Sequence, residues 1–76
     1  MITYEYLLEL LNGNSVVTGT NQDGEDLVIT LDASGDYVKV ETLQSNDRVR
    51  INYYWKDGTV EETYESFGDG SQLVTL

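Results

Sequence analysis

Three stretches of this chain hold residue types that could do chemistry, at spacings that chemistry would recognise. Glu61 and Glu62 are adjacent carboxylates, the grouping that general acid and base catalysis uses. Asn21, Asp23 and Glu25, and again Asp32, Ser34 and Asp36, place oxygen donors at alternate positions, as a calcium loop does. Tyr53-Tyr54-Trp55 is an aromatic run of the kind on which sugars or peptides stack. Each meets a physical objection. On a strand, Glu61 and Glu62 point to opposite faces and cannot converge on one bond. A calcium loop of the EF-hand type needs glycine at its sixth position and a bidentate glutamate at its twelfth. Neither oxygen-rich stretch supplies both, and Gly24 and Gly35 fit turn geometry better. Alternation also divides the aromatic run, sending Tyr53 and Trp55 to the core and Tyr54 outward, where Tyr54 and Tyr37 would anchor a protein interface.

The chain has no histidine and no cysteine, so a catalytic centre would have to be assembled from carboxylates, tyrosine, lysine or serine. A non-enzymatic protein with no cofactor and no metal is the expectation. Without cysteine nothing speaks for an oxidising compartment, and the cytosol is the expected setting. The N-terminal segment lacks a basic region and carries Glu5 and Glu9 within its apolar stretch, which argues against a signal peptide and a membrane span.

Charge is the dominant feature: 14 acidic residues against 4 basic ones, a net −10 over 76 residues. Such a surface repels nucleic acid and anionic membranes and attracts basic proteins, at a cost in self-repulsion within so small a body. The candidate partner-binding residues are Asp23, Glu25, Asp26, Asp32, Asp36, Glu61, Glu62, Glu65 and Asp69, with Tyr37 and Tyr54 as aromatic anchors. On one face of a strand, residues two apart lie about 6.6 Å from each other, close to twice the 3.4 Å rise per phosphate of a DNA strand. A row of such carboxylates would compete with DNA for a basic groove.

The elements that must position these residues form one domain, residues 1–76, of the α+β class: a short N-terminal helix packed on an antiparallel meander of about five strands. Thr3 can cap a helix over about 3–12 whose apolar positions Tyr4, Leu7, Leu8 and Leu11 follow i, i+3, i+4, i+7, with Asn12-Gly13 as its stop. From Ser15 onward the period becomes two, and Gly, Asn and Asp clusters separate the runs. Leu27, Ile29 and Leu31 share a face with Val38 and Val40 only if the loop at Ala33-Ser34-Gly35-Asp36 is even, of two or four residues. Asp57-Gly58 suits a two-residue type I′ loop, which would set Trp55 opposite Val60, Ile51 opposite Tyr64 and Arg50 opposite Glu65. The same parity at Gln44-Ser45-Asn46-Asp47 would pair Val40 with Ile51 and Glu41 with Arg50. Lys39 would then lie beside Asn52 and Tyr37 beside Tyr54. Glu62 would fall on the core face near Tyr53, and Lys39, Arg48, Arg50 and Lys56 would all lie on the polar face. With the cations used there, uncompensated carboxylates would gather in the turns and along the last hairpin. Leu73-Val74-Thr75-Leu76 reads as a short terminal strand on a sheet edge or as a contact across a homodimer.

A single acidic domain of this size without His or Cys resembles, at the level of class, the inhibitors that phages encode against bacterial defence systems, including anti-CRISPR proteins that mimic DNA. The resemblance covers size and composition, and no site residue is carried over from it. It implies an inhibitor that binds the basic, nucleic-acid-handling surface of a partner such as a CRISPR effector. The alternatives are a small oligomeric assembly module and a weak sugar- or calcium-binding module.

Overall fold

The computed structural model describes residues 1–44 and 48–66, the last of these for its backbone only. One helix, α1 (Tyr4–Leu11), is followed by five strands: β1 (Val16–Thr20), β2 (Asp26–Leu31), β3 (Tyr37–Leu43), β4 (Arg48–Trp55) and β5 (Val60–Ser66). Thr3 is the N-cap, its Oγ1 accepting the Tyr6 amide at 3.0 Å. Asn12 closes the helix in the left-handed region, donating its amide to the Leu8 and Glu9 carbonyls. The strands form one antiparallel sheet in chain order, the meander that the spacing of the turns implies.

Leu31 stands opposite Val38 and the Asp32 amide bonds to the Tyr37 carbonyl, so four loop residues, Ala33 to Asp36, lie between the bonded Asp32 and Tyr37. Even parity holds, and Leu27, Ile29, Leu31, Val38 and Val40 share the face under the helix. Leu7 and Leu11 pack there on Ile29 and Val38, with Tyr4, Leu8, Val17 and Tyr54 around them. Each fully buried aliphatic contributes about 1.5–3 kcal/mol. The Tyr4 hydroxyl donates to the Gly35 carbonyl at 2.6 Å, fastening the start of the helix to the β2–β3 turn. No helix among the described residues is long and apolar enough to cross a membrane.

The last two connections depart from the expected parity. Trp55 and Thr59 bond across the β4–β5 loop (2.9 Å) and Gly58 N–H bonds back to the Trp55 carbonyl (3.0 Å), leaving three loop residues, Lys56, Asp57 and Gly58. Gly58 has φ +97°, whereas Asp57 is not in the positive-φ region that a type I′ turn would require of it. The Asp57 carboxylate instead accepts the Thr59 amide at 2.9 Å, an Asx turn that favours the longer loop with glycine in the left-handed position. Tyr54 therefore faces Val60, Arg50 faces Tyr64 and Ile51 faces Thr63. Between β3 and β4 the register is also odd: Val40 faces Asn52 and Glu41 faces Ile51.

One slip turns β4 over. Tyr54, Asn52 and Arg50 lie on the helix side, and Val49, Ile51, Tyr53 and Trp55 on the other, where Val49 and Ile51 are buried. The second slip restores β5, so Val60, Glu62 and Tyr64 are on the helix side, with Glu62 opposite Asn52 rather than beside Tyr53. The expected row Glu41-Arg50-Glu65 does not form. Lys39 stands opposite Tyr53, and the cations are divided between the two faces.

Candidate functional site

The turns distribute the acidic residues to the two ends of the sheet. At one end the β1–β2 turn, organised by Asn21, carries Asp23 and Glu25, and Asp26 begins β2 beside them. The Asn21 Oδ1 accepts the amides of Asp23 and Glu25, both at 3.0 Å, and its Nδ2 donates to the Glu25 carboxylate at 2.9 Å. Of the alternate oxygens that resemble a calcium loop, those of Asn21 and Glu25 are held in hydrogen bonds within the turn. Among the described residues no three carboxylates converge as a metal site would need. This end is the length of β2, about 17 Å, from the other.

At the opposite end the β2–β3 and β4–β5 turns meet. Lys56 donates its amide to the Asp36 carbonyl (3.0 Å) and its ammonium to the Asp36 carboxylate (3.2 Å). Asp32 accepts from the Ser34 amide and hydroxyl and lies beside the Tyr37 hydroxyl. Bonds from the Ser34 hydroxyl, then from its amide and from Tyr37, hold the Asp32 carboxyl below the usual range, and Asp32 in turn pushes Tyr37 up. The Thr59 amide and hydroxyl likewise hold Asp57 down.

Reversal of β4 brings a group of aromatics to this end that the sequence had divided. Tyr37 stands opposite Trp55, on the face away from the helix. Its ring lies 4.7 Å from Trp55 and 5.5 Å, edge-on, from Tyr53. The Trp55 indole N–H points at Glu61, 3.4 Å away, and Glu61 stands opposite Tyr53. All three rings are half-exposed. Trp55 and Tyr53 were expected in the core and Tyr54 outside; the positions are exchanged, and Tyr54 lies under the helix, where burial raises its pKa. Tyr54 is therefore not on the outer face of the sheet, whereas Tyr37 is.

Of the other expected residues, Glu61 and Glu62 point to opposite faces as strand geometry requires. Glu61 and Glu65 share the side of the aromatics. Glu62 lies on the helix side within 4.0 Å of Arg50 and 3.5 Å of Asn52. Asp69 and the segment Leu73–Leu76 lie outside the described residues. The chain's four Lys and Arg side chains each have a partner: Lys39 with Glu41 (3.7 Å), Arg50 with Glu62 and Arg48 over the Tyr64 ring at 4.1 Å on the strands, and Lys56 with Asp36 between two turns. No protein-family model, curated protein or solved structure matches this chain.

Proposed function

We propose that this domain is a non-enzymatic inhibitor that binds a basic, nucleic-acid-handling surface of another protein and competes there with nucleic acid, as a DNA mimic of the anti-CRISPR type would. The observation that supports this function is the disposition of the cations. All four are engaged by other partners, so Asp23, Glu25, Asp26, Asp32, Asp57, Glu61 and Glu65 have no cationic partner among the described residues. These seven carboxylates lie at the turns and along β2 and β5, in a chain whose net charge is −10. A field of that kind steers and orients a cationic partner. Glu61 and Glu65 share one face four residues apart, about 13 Å, which matches about four phosphate steps of a DNA strand.

The test is capture from a bacterial lysate by the immobilised domain, washed at about 0.1 M and then about 1 M salt. The expected result is a nucleic-acid enzyme that elutes with salt, is displaced by added duplex DNA, and is lost on Glu61→Lys with Glu65→Lys. Recovery only of the domain itself, or of a salt-resistant partner, would replace this function with the assembly module. That second function draws on the exposed Val60 and Tyr64 of β5, the last strand of the sheet order.

A further inference from the structure

The aromatic cluster opposite the helix lies at one end of the face on which Val49 and Ile51 are buried. Tyr37, Tyr53 and Trp55 are held together ring to ring yet keep part of their surface in solvent, on a face that α1 does not cover. Carboxylates border them: Glu61 at the indole N–H, Asp36 next to Tyr37 in the chain, and Asp32 at the Tyr37 hydroxyl. The two nearby ammonium groups are already paired, Lys56 with Asp36 and Lys39 with Glu41. A shallow hollow lined by Asp36, Trp55, Lys56 and Asp57 adjoins the indole.

An aromatic face presents negative potential to a cation, and a carboxylate at its rim completes the coordination of a planar guanidinium. Arginine suits such a place better than lysine, because it stacks flat on an indole or phenol while directing N–H groups sideways to carboxylates. We propose that Tyr37, Tyr53 and Trp55, with Glu61, form the anchoring site for an arginine side chain of the basic partner, an assignment that rests on the function proposed above. The guanidinium stacks on the exposed ring faces and donates to Glu61. The remaining carboxylates contribute long-range attraction without a defined contact.

Trp55 is the single tryptophan of the chain, so its emission reports this site directly. The experiment titrates the purified domain with octa-arginine, octa-lysine and octa-glutamine peptides at low salt. The expected result is a saturable change in Trp55 emission with octa-arginine, weaker binding of octa-lysine and none of octa-glutamine. Tyr37→Leu and Glu61→Gln should each weaken octa-arginine binding by about threefold to tenfold, while Tyr37→Phe, which keeps the ring, retains it. Asp23→Asn with Asp26→Asn, at the far end, should weaken it less than Glu61→Gln alone. Circular dichroism confirms that each variant is folded. Octa-arginine binding that leaves Trp55 emission unchanged and is indifferent to Tyr37 and Glu61 would overturn the anchoring site and leave the basic-partner function standing. Absence of any peptide binding would overturn both.

Discussion

Tyr54 stands directly opposite Val38 across the β3–β4 ladder, on the side of the sheet that α1 covers. Val38 is wholly buried, and Tyr54 extends the same apolar cluster toward the β4–β5 hairpin. Truncation here leaves a cavity beside the best-packed residue of the sheet. Tyr54→Ala should cost about 3 kcal/mol, read as a fall in the urea midpoint, whereas Tyr54→Phe should stay within about 1 kcal/mol of the parent. Equal, small effects of both would mean that Tyr54 is not part of the core.

The same residue sets an alkaline limb. Burial raises the Tyr54 pKa above its ordinary 10.0, so the stability it contributes is present below that value and is lost as pH climbs through the raised one. Tyr37, raised mainly by its bond to Asp32, acts in the same direction. Thermal melts between about pH 9 and 12 should decline steeply in the parent and less so in Tyr54→Phe. Coincident profiles would show that Tyr54 ionises freely in the folded state.

Much of this fold is legible in the sequence, and the rest turns on the parity of two connections, β3–β4 and β4–β5. Helix α1 and the pairing of Leu27, Ile29 and Leu31 with Val38 and Val40 follow from periodicity, because only one parity buries all five. Strand β4 is different. Val49, Ile51, Tyr53 and Trp55 form one apolar face, and Tyr54 makes the opposite face partly apolar too, so alternation defines two faces without saying which lies under the helix. Loop length decides, and Asp-Gly fits both a two-residue and a three-residue loop. The face of β4 is decided at the β3–β4 connection, where Val40 faces Asn52, and that of β5 at the Asp57 turn, by the bond from the Thr59 amide to the Asp57 carboxylate; hydrophobic patterning registers neither. The turn carboxylates of the candidate site could be placed from sequence because turns stay at strand ends whatever the register. The meeting of Tyr37 with Trp55 could not, because it exists in only one of the two parities.

That loop geometry makes Gly58 a sharp test. An added Cβ would touch nothing within 4 Å, so any cost of Gly58→Ala comes from the backbone at φ +97°. A loss of about 1 kcal/mol is expected, smaller for Gly58→Asn, which tolerates the left-handed region. Gly19 is the counter-case: it lies within β1 outside the positive-φ region, and a Cβ there would make an ordinary contact, 4.0 Å, with Leu27. Gly19→Ala should be neutral or stabilising by up to about 0.5 kcal/mol. Neutrality of Gly58→Ala would refute a left-handed Gly58, and loss of stability in Gly19→Ala would refute the ordinary contact expected of a Cβ at that position.

Acid and salt should separate local from global electrostatics. Asp32 and Asp57 have pKa values below the ordinary 3.8 because Ser34 and Thr59 donate to their ionised forms. What they contribute to stability is present above that value and lost as pH falls through the lowered ones, so Asp32→Asn with Asp57→Asn should flatten the melting profile between about pH 4 and 2. Salt acts on the whole field. With ten uncompensated charges on 76 residues, repulsion is stronger in the compact state than in the expanded one. Raising sodium chloride from about 0.02 M to 0.5 M at neutral pH shortens the screening length below the width of the domain and should raise Tm by a few degrees. A fall in Tm over that range would mean that the three ion pairs on the sheet outweigh the repulsion among the unpaired carboxylates, and the excess charge would then have no energetic cost for a partner to relieve.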